Sequence, residues 1–306
     1  MLAHELGTVF NQLVWLDMFG NAVQIFGIYN KNSQLIGGFS LYHERRFWLS
    51  FYQNPPYTPC AGPFAQINAK NPAGITSEWK KILSLVAEFI EKLNYGVVSF
   101  SLSRHIIDTQ PFIWQKFKVV PGYTYILDLD KSLDVIYGNM SAERRNDITK
   151  ARRDGLEVSQ VHNMEIVLGL VKKSFLRQNM PVNEIYLHKL LFIYANSSNS
   201  FAYAVLKSSA PIAVVFCIHD KNSAYYLLGG YDFEDKHHGA GAMAMISAIE
   251  HAKQIGLKQF DFEGSMEPNI ERYFRGFGAR ITPYFRINKA LLLLEFVLKF
   301  FKREIF

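Results

Sequence analysis

Phe260-Asp-Phe-Glu-Gly-Ser-Met-Glu-Pro-Asn269, continuing through Ile-Glu-Arg-Tyr-Phe-Arg-Gly-Phe-Gly-Ala279, is the stretch on which the fold turns. Its start, residues 259–263, reads as a strand that carries Asp261 and Glu263 to its end. Gly264 breaks the strand, Pro268 leads the next turn, and a short helix over 269–276 stops at Gly276 and Gly278. Acids at a strand end beside a helix start lie where α/β enzymes gather their chemistry.

Working outward, the three runs before it, 201–206, 212–219 and 224–231, read as consecutive strands with short polar turns. A glycine-bearing loop then opens a helix over 241–254, ended by Gly256, and 280–287 reads as a closing strand. The first half repeats the order. Strands are expected at 23–29, 35–42 and 47–52, then a Pro-rich loop through Pro63, a helix over 77–93, a strand over 97–103, a short helix near 113–117 and a strand over 123–129. Helices over 133–137, 141–154, 164–178 and 182–196 lie between the halves. This is a structural duplication of α+β type with mixed, mostly antiparallel sheets. The expected domains are 1–135, 136–289, and a C-terminal helix over 290–306 packed on the body.

The chain has 306 residues, 49% apolar and 20% charged, which suits a globular protein with a substantial core. A net charge of +6 favours anionic partners without choosing among nucleotides, coenzyme A, tRNA and anionic lipid. Two cysteines, Cys60 and Cys217, are too few for a disulfide framework and point to a reducing compartment. Neither a signal peptide nor a stretch long enough to span a bilayer is expected. Cytoplasm is the expected location, with the apolar C-terminal helix offering contact with the inner membrane face.

Two motifs carry chemistry. Lys236-His-His-Gly-Ala-Gly-Ala242 follows a strand and opens a helix, so its backbone N–H groups suit a phosphate. A tight glycine-capped loop is the alternative. In 144–158, Ile148 and Ala151 share a helical face, with Arg144, Arg145 and Arg152 beside it and Asn146, Lys150 and Arg153 opposite. Arginines flanking a buried seam need an anionic partner; a solvated basic helix is the alternative. Glu263 is the candidate general base and Tyr273 a candidate proton donor, with core packing as its competing role. Asp261 is expected to face inward or cap the next helix, and Asp232 to turn the chain. The adjacent pair His237-His238 lacks metal-ligand spacing, so no metal is expected. Cys217 and His219 share a strand face, with a buried structural cysteine the favoured reading. Tyr57, in the Pro-rich loop, is the candidate acceptor contact.

The loop resembles the pyrophosphate-binding loop of GNAT acyltransferases, with Lys236 where Gln or Arg is usual. Gly239, Ala240, Gly241 and Ala242 would then hold the pyrophosphate. Arg145, Ile148, Lys150, Ala151, Gly155 and Val158, with Asp261, Phe262, Gly264, Gly276, Phe277 and Gly278, resemble two signatures of the FemAB-type transferases, relatives within the GNAT superfamily that attach amino acids to peptidoglycan precursors. The resemblance implies tandem GNAT-like domains, the first degenerate and the second holding the donor. It further implies acyl or acetyl transfer to an amine of an amino sugar, amino acid or cell-envelope precursor. Arg145, Lys150 and Arg153 would guide the acceptor, and Arg275 would steady the oxyanion. The lysine of that family falls at Phe274, which favours acyl-coenzyme A over aminoacyl-tRNA as donor. A tRNA-dependent transferase and a non-catalytic scaffold are the alternatives.

Overall fold

Asn30 sets the first hairpin. Its side-chain carbonyl accepts from the N–H groups of Asn32 and Gln34, at 2.9 and 3.0 Å, and so turns β1 (Val23–Tyr29) back onto β2 (Leu35–Arg46). The computed structural model describes residues 1–264 and 266–301. They form two units, one of Met1–Gly122 with the chain from Pro283 onward, the other of Tyr123–Thr282.

In the first unit, short helices α1 (Leu2–Leu6) and α2 (Leu13–Leu16) precede the sheet. β2 pairs antiparallel with β3 (Leu49–Gln53) and with β4 (Phe64–Ala65). β3 pairs in parallel with β5 (Val97–Ser101), which requires a crossover. α3 (Pro72–Glu91) supplies it and buries Leu83, Val86, Ala87 and Ile90 against the sheet core. α4 (Gln110–Trp114) follows, buried through Phe112.

β6 (Lys118–Asp128) leads into the second unit. Next come α5 (Leu133–Asn139), α6 (Ala142–Arg153), β7 (Glu157–Gln160), α7 (Met164–Arg177) and α8 (Glu184–Lys189). A π-helical turn, Leu190–Tyr194, replaces the second half of the helix expected over 182–196. β8 (Ser200–Lys207), β9 (Ala210–His219) and β10 (Ser223–Tyr231) form an antiparallel meander, with β7 on its edge. α9 (Ala240–Gln254) crosses to β11 (Gln259–Asp261), which lies parallel to β10. Nearly every residue on the inner side of α9 is fully buried, so this helix anchors the core of the unit. α10 (Pro268–Arg275), β12 (Arg280–Ala290) and α11 (Leu292–Phe301) complete the chain. The last five residues of the expected C-terminal helix lie outside the described residues.

The fold is α+β with mixed, mostly antiparallel sheets, and the order of three strands, helix, strand, helix, strand recurs in both halves, with the two-residue β4 added before the helix of the first. The closing strands are exchanged. β6 ends the first repeat but pairs with β11 of the second, Ile126–Asp128 against Gln259–Asp261. β12 ends the second repeat but pairs with β5 of the first, through Arg286–Ala290. The chain therefore divides at 122/123 and 282/283, whereas the sequence reading draws its boundaries near 135 and 289. Alternation identifies a strand but not the edge it joins.

Candidate functional site

β10 and β11 pair only over Ser223–Tyr225 and Gln259–Asp261. β10 then runs on to Tyr231, with a register shift against β9 between Tyr226 and Leu228, while the other chain turns away. Asp261 fixes that turn. Its carboxylate is 4% exposed and accepts from Thr124 Oγ1 at 2.5 Å and from the Glu263 N–H at 2.9 Å. Asp261 thus faces inward, as alternation predicts. Glu263 leaves the strand line, at φ 58°, and is partly exposed. Gly264 follows at φ 66°, where a Cβ would lie 2.1 Å from the Tyr123 carbonyl oxygen, so only glycine suits it.

The loop before α9 is held by α6. A Cβ on Gly239 would come within 2.1 Å of the Asp147 carbonyl oxygen. This glycine is therefore needed for close helix packing, whatever else its backbone does. The Gly239 N–H donates to His237 Nδ1 at 3.2 Å, and the Ala240 N–H to the His237 carbonyl at 3.0 Å. α9 starts with no side-chain cap, and the N–H groups of a first helical turn lack intrahelical partners. Gly241 and Ala242 thus bring donors to the helix start, and a Cβ on Gly241 would stand 3.3 Å from the Tyr273 hydroxyl. Lys236 is exposed in the same loop.

α6 contributes Arg144. Its guanidinium is buried, ion-paired with Asp147 and Glu143 at 2.9 Å each, and lies 4.8 Å from the centre of the Tyr273 ring. Asp147, also buried, meets His238 Nε2 at 3.1 Å. A Cβ on Gly276 would reach 2.7 Å from Arg144 Cγ. One arginine thereby joins α6, the loop and α10. The anion demanded by the buried seam is internal. The sequence weighs His238 only as a metal ligand and gives Asp147 no role, although the i, i+3 spacing of Arg144 and Asp147 is a usable signal.

The basic residues singled out on α6 are on other faces. Arg145 is exposed and donates to the carbonyls of Met140 and Gly138, at the end of α5. Lys150 is exposed, and Arg153 bonds the Asp154 carboxylate at 3.1 Å.

On α10, burial pushes the Tyr273 hydroxyl well above the usual tyrosine range, and the Arg144 charge opposes that rise. Phe274 packs edge-to-face on Tyr226 and tilted against Phe262, and Tyr273 packs edge-to-face on Phe277, where β10 and β11 part. The exposed Arg275 donates to Glu271 Oε1 at 2.8 Å, and Tyr125 donates to the same oxygen. These two bonds, Tyr125 first, hold the Glu271 carboxyl below its ordinary range.

Tyr57 belongs to the first unit, at φ 57° in the Pro-rich loop. Asp232 accepts from the Glu234 N–H and pairs with Lys173 at 2.6 Å, so it turns the chain. Cys217 is fully buried, which pushes its thiol well up and makes it a packing residue. His237 pairs with Asp154 at 3.1 Å, and among the described residues no cluster of side chains suits a metal ion.

Residues 142–275, spanning α6, the α9 loop and α10, match the family model of the acetyltransferase (GNAT) domain. That match covers 134 of the 306 residues. Curated proteins yield no match in sequence. In fold, the chain is similar to FemX, with a TM-score of 0.68 and 11% identity over 97% of this chain and 96% of that one. It is also similar to L-PGS from Bacillus licheniformis, with a TM-score of 0.59 and 12% identity over 99% and 95%. A candidate lysylphosphatidylglycerol synthetase from Agrobacterium fabrum, through its C-terminal DUF2156 domain, gives 0.58 and 11% over 90% and 87%. At 11–12% identity these are likenesses of fold.

Proposed function

We propose that this acyltransferase moves an acyl group from acyl-coenzyme A, acetyl-coenzyme A in the simplest case, to an amine of an amino sugar, amino acid or cell-envelope precursor. The observation that carries this reading is the start of α9, which has no side-chain cap and where a Cβ on Gly241 would stand 3.3 Å from the Tyr273 hydroxyl. A pyrophosphate there would accept from those amides, with the helix dipole and Lys236 adding favourable charge.

The amine nitrogen attacks the thioester carbonyl, the C–S bond breaks, and the thiolate leaves. Glu263 takes the amine proton, directly or through water. Arg275, released from Glu271, or backbone N–H groups would steady the oxyanion. An ordinary thiol titrates near about 8.5, below the raised Tyr273 hydroxyl. Tyr273 therefore donates a hydrogen bond to the leaving sulfur and keeps its own proton. Arg145, Lys150 and Arg153 would meet anionic groups of the acceptor, and Tyr57 is the proposed acceptor contact in the first unit. An envelope precursor as acceptor would set this work in the cytoplasm, at the inner membrane face.

Calorimetric titration with acetyl-coenzyme A tests the reading. Binding in the micromolar range is expected, and no heat at millimolar ligand overturns it. Gly241→Ala is the diagnostic variant, because a Cβ there meets only the far end of Tyr273, at 3.3 Å. It should weaken binding by about ten-fold or more, some 1.4 kcal/mol, with an unchanged melting temperature.

A second reading, transfer from aminoacyl-tRNA, draws support from the fold likeness to proteins named FemX and lysylphosphatidylglycerol synthetase, the latter name joining an aminoacyl group to a lipid. Turnover that releases coenzyme A and survives RNase treatment would exclude it.

A further inference from the structure

Two short segments of the first unit leave large apolar side chains in solvent. At the turn between β2 and β3, Phe47 is 91% exposed and Trp48 79%. On α11, Leu293, Phe296 and Phe300 are 88%, 64% and 72% exposed. Both segments meet at Gly96. A Cβ there would lie 3.0 Å from the side chain of Leu49, the residue after Trp48, and the Gly96 carbonyl accepts from the Leu291 N–H at 3.0 Å. The inward side of α11 is fixed, since Leu294 and Leu298 pack with Phe51 on Val97 and Ala290. Positions 293, 296 and 300 form one row at i, i+3 and i+7, pointing away from that packing.

Cations rim this apolar edge. Arg45 and Arg46 precede Phe47 and Lys299 flanks the α11 row; Arg46 pairs with Glu44 and Lys299 with Glu295, at 2.9 Å each, and both cations stay more than half exposed. The sequence continues past α11 as Lys302-Arg303. Among the described residues no helix is long and apolar enough to cross a membrane, so the pattern is that of a surface lying on a bilayer. Aromatic tips and short helices of this kind insert at the headgroup level, while long basic side chains reach the phosphates.

We propose that Phe47, Trp48 and the outward row of α11 seat the first unit on an anionic phospholipid surface. Cations exceed acids along this edge, with Arg45, Arg46 and Lys299 against Glu44 and Glu295, and that excess favours an anionic lipid over a second copy carrying the same excess. The proposal is independent of the donor, since vesicle binding is read with no donor present.

The experiment is co-sedimentation of the whole chain with vesicles of phosphatidylglycerol and phosphatidylcholine, compared with phosphatidylcholine alone. Partitioning should be at least about ten-fold stronger on the anionic vesicles and should weaken with added salt. Phe47→Ser with Trp48→Ser should reduce it by about ten-fold or more without changing the melting temperature. Phe296→Glu with Phe300→Glu, on the other segment, should do the same and guards against a local fault in the hairpin. Absence of binding to anionic vesicles, or binding that both double variants leave intact, overturns the proposal. So does a concentration-dependent dimer that the same substitutions dissolve while vesicles bind nothing.

Discussion

Each unit runs a third strand into a long helix through a crossover, yet the two crossovers are finished in opposite ways. In the first, β3 ends at Gln53, which is also its last pair with β5, Gln53 against Ser99. Asn54 then closes the gap, accepting from the Ser101 N–H at 3.0 Å and donating to the carbonyls of Thr58 and Pro59 at 3.0 and 2.8 Å. The Ala61 N–H donates to the Ser101 carbonyl. α3 starts on Asn71, whose side chain accepts from the Gly74 N–H at 2.8 Å, with Pro72 removing another donor. In the second unit β10 outruns its partner by residues 226–231, and α9 starts on a glycine with no side-chain cap. One repeat seals the strand edge and the helix start, and the other leaves both open. The finishing residues, and not the repeated order, separate the two crossovers, and the proposed donor site rests on that difference.

That contrast can be broken at three points. The largest effect is expected from Asp147→Ala in the second unit. Removing the partner of a buried guanidinium leaves an uncompensated charge, with a loss of about 3 kcal/mol in chemical denaturation; a loss under about 1 kcal/mol would mean that Glu143 and solvent suffice for Arg144. Asn54→Ala should follow at about 2 kcal/mol, since it strips partners from one N–H and two carbonyls. Acetyl-coenzyme A binding should be untouched by it, and any change in affinity would show that the first unit is not sealed from the donor. Asn71→Ala is the mildest, costing about 1 kcal/mol as a lost helix cap, read as a lower melting temperature.

Much of this was legible in the residues. The repeated element order could be read from alternation and helical period, and Gly264, Gly276 and Gly278 marked real turns and close approaches. The exchange of β6 and β12 could not be read, because a strand's apolar face is the same whichever edge it joins. On α6 the pattern correctly gave a buried face of Ile148 and Ala151 with arginines beside it. It could not separate Arg144 from Arg145, which flank that face alike. Their roles differ through tertiary partners: Gly276 and Tyr273 cover Arg144, while the carbonyls of Gly138 and Met140 draw Arg145 outward. Glu263 was read as continuing its strand, but a left-handed backbone at 263 and 264 takes it off that line.

The exchanged closing strands make the two repeats one heritable object. A gene fragment that begins at residue 136 encodes β11 without β6, and so leaves a raw sheet edge open to aggregation. A fragment that ends at residue 135 encodes β5 without β12. Once the ends of an ancestral duplicate had traded places, neither copy could be lost, moved or fused to another protein alone. The first repeat would then persist whatever it binds, because the strand that leaves it covers the edge of β11 in the second.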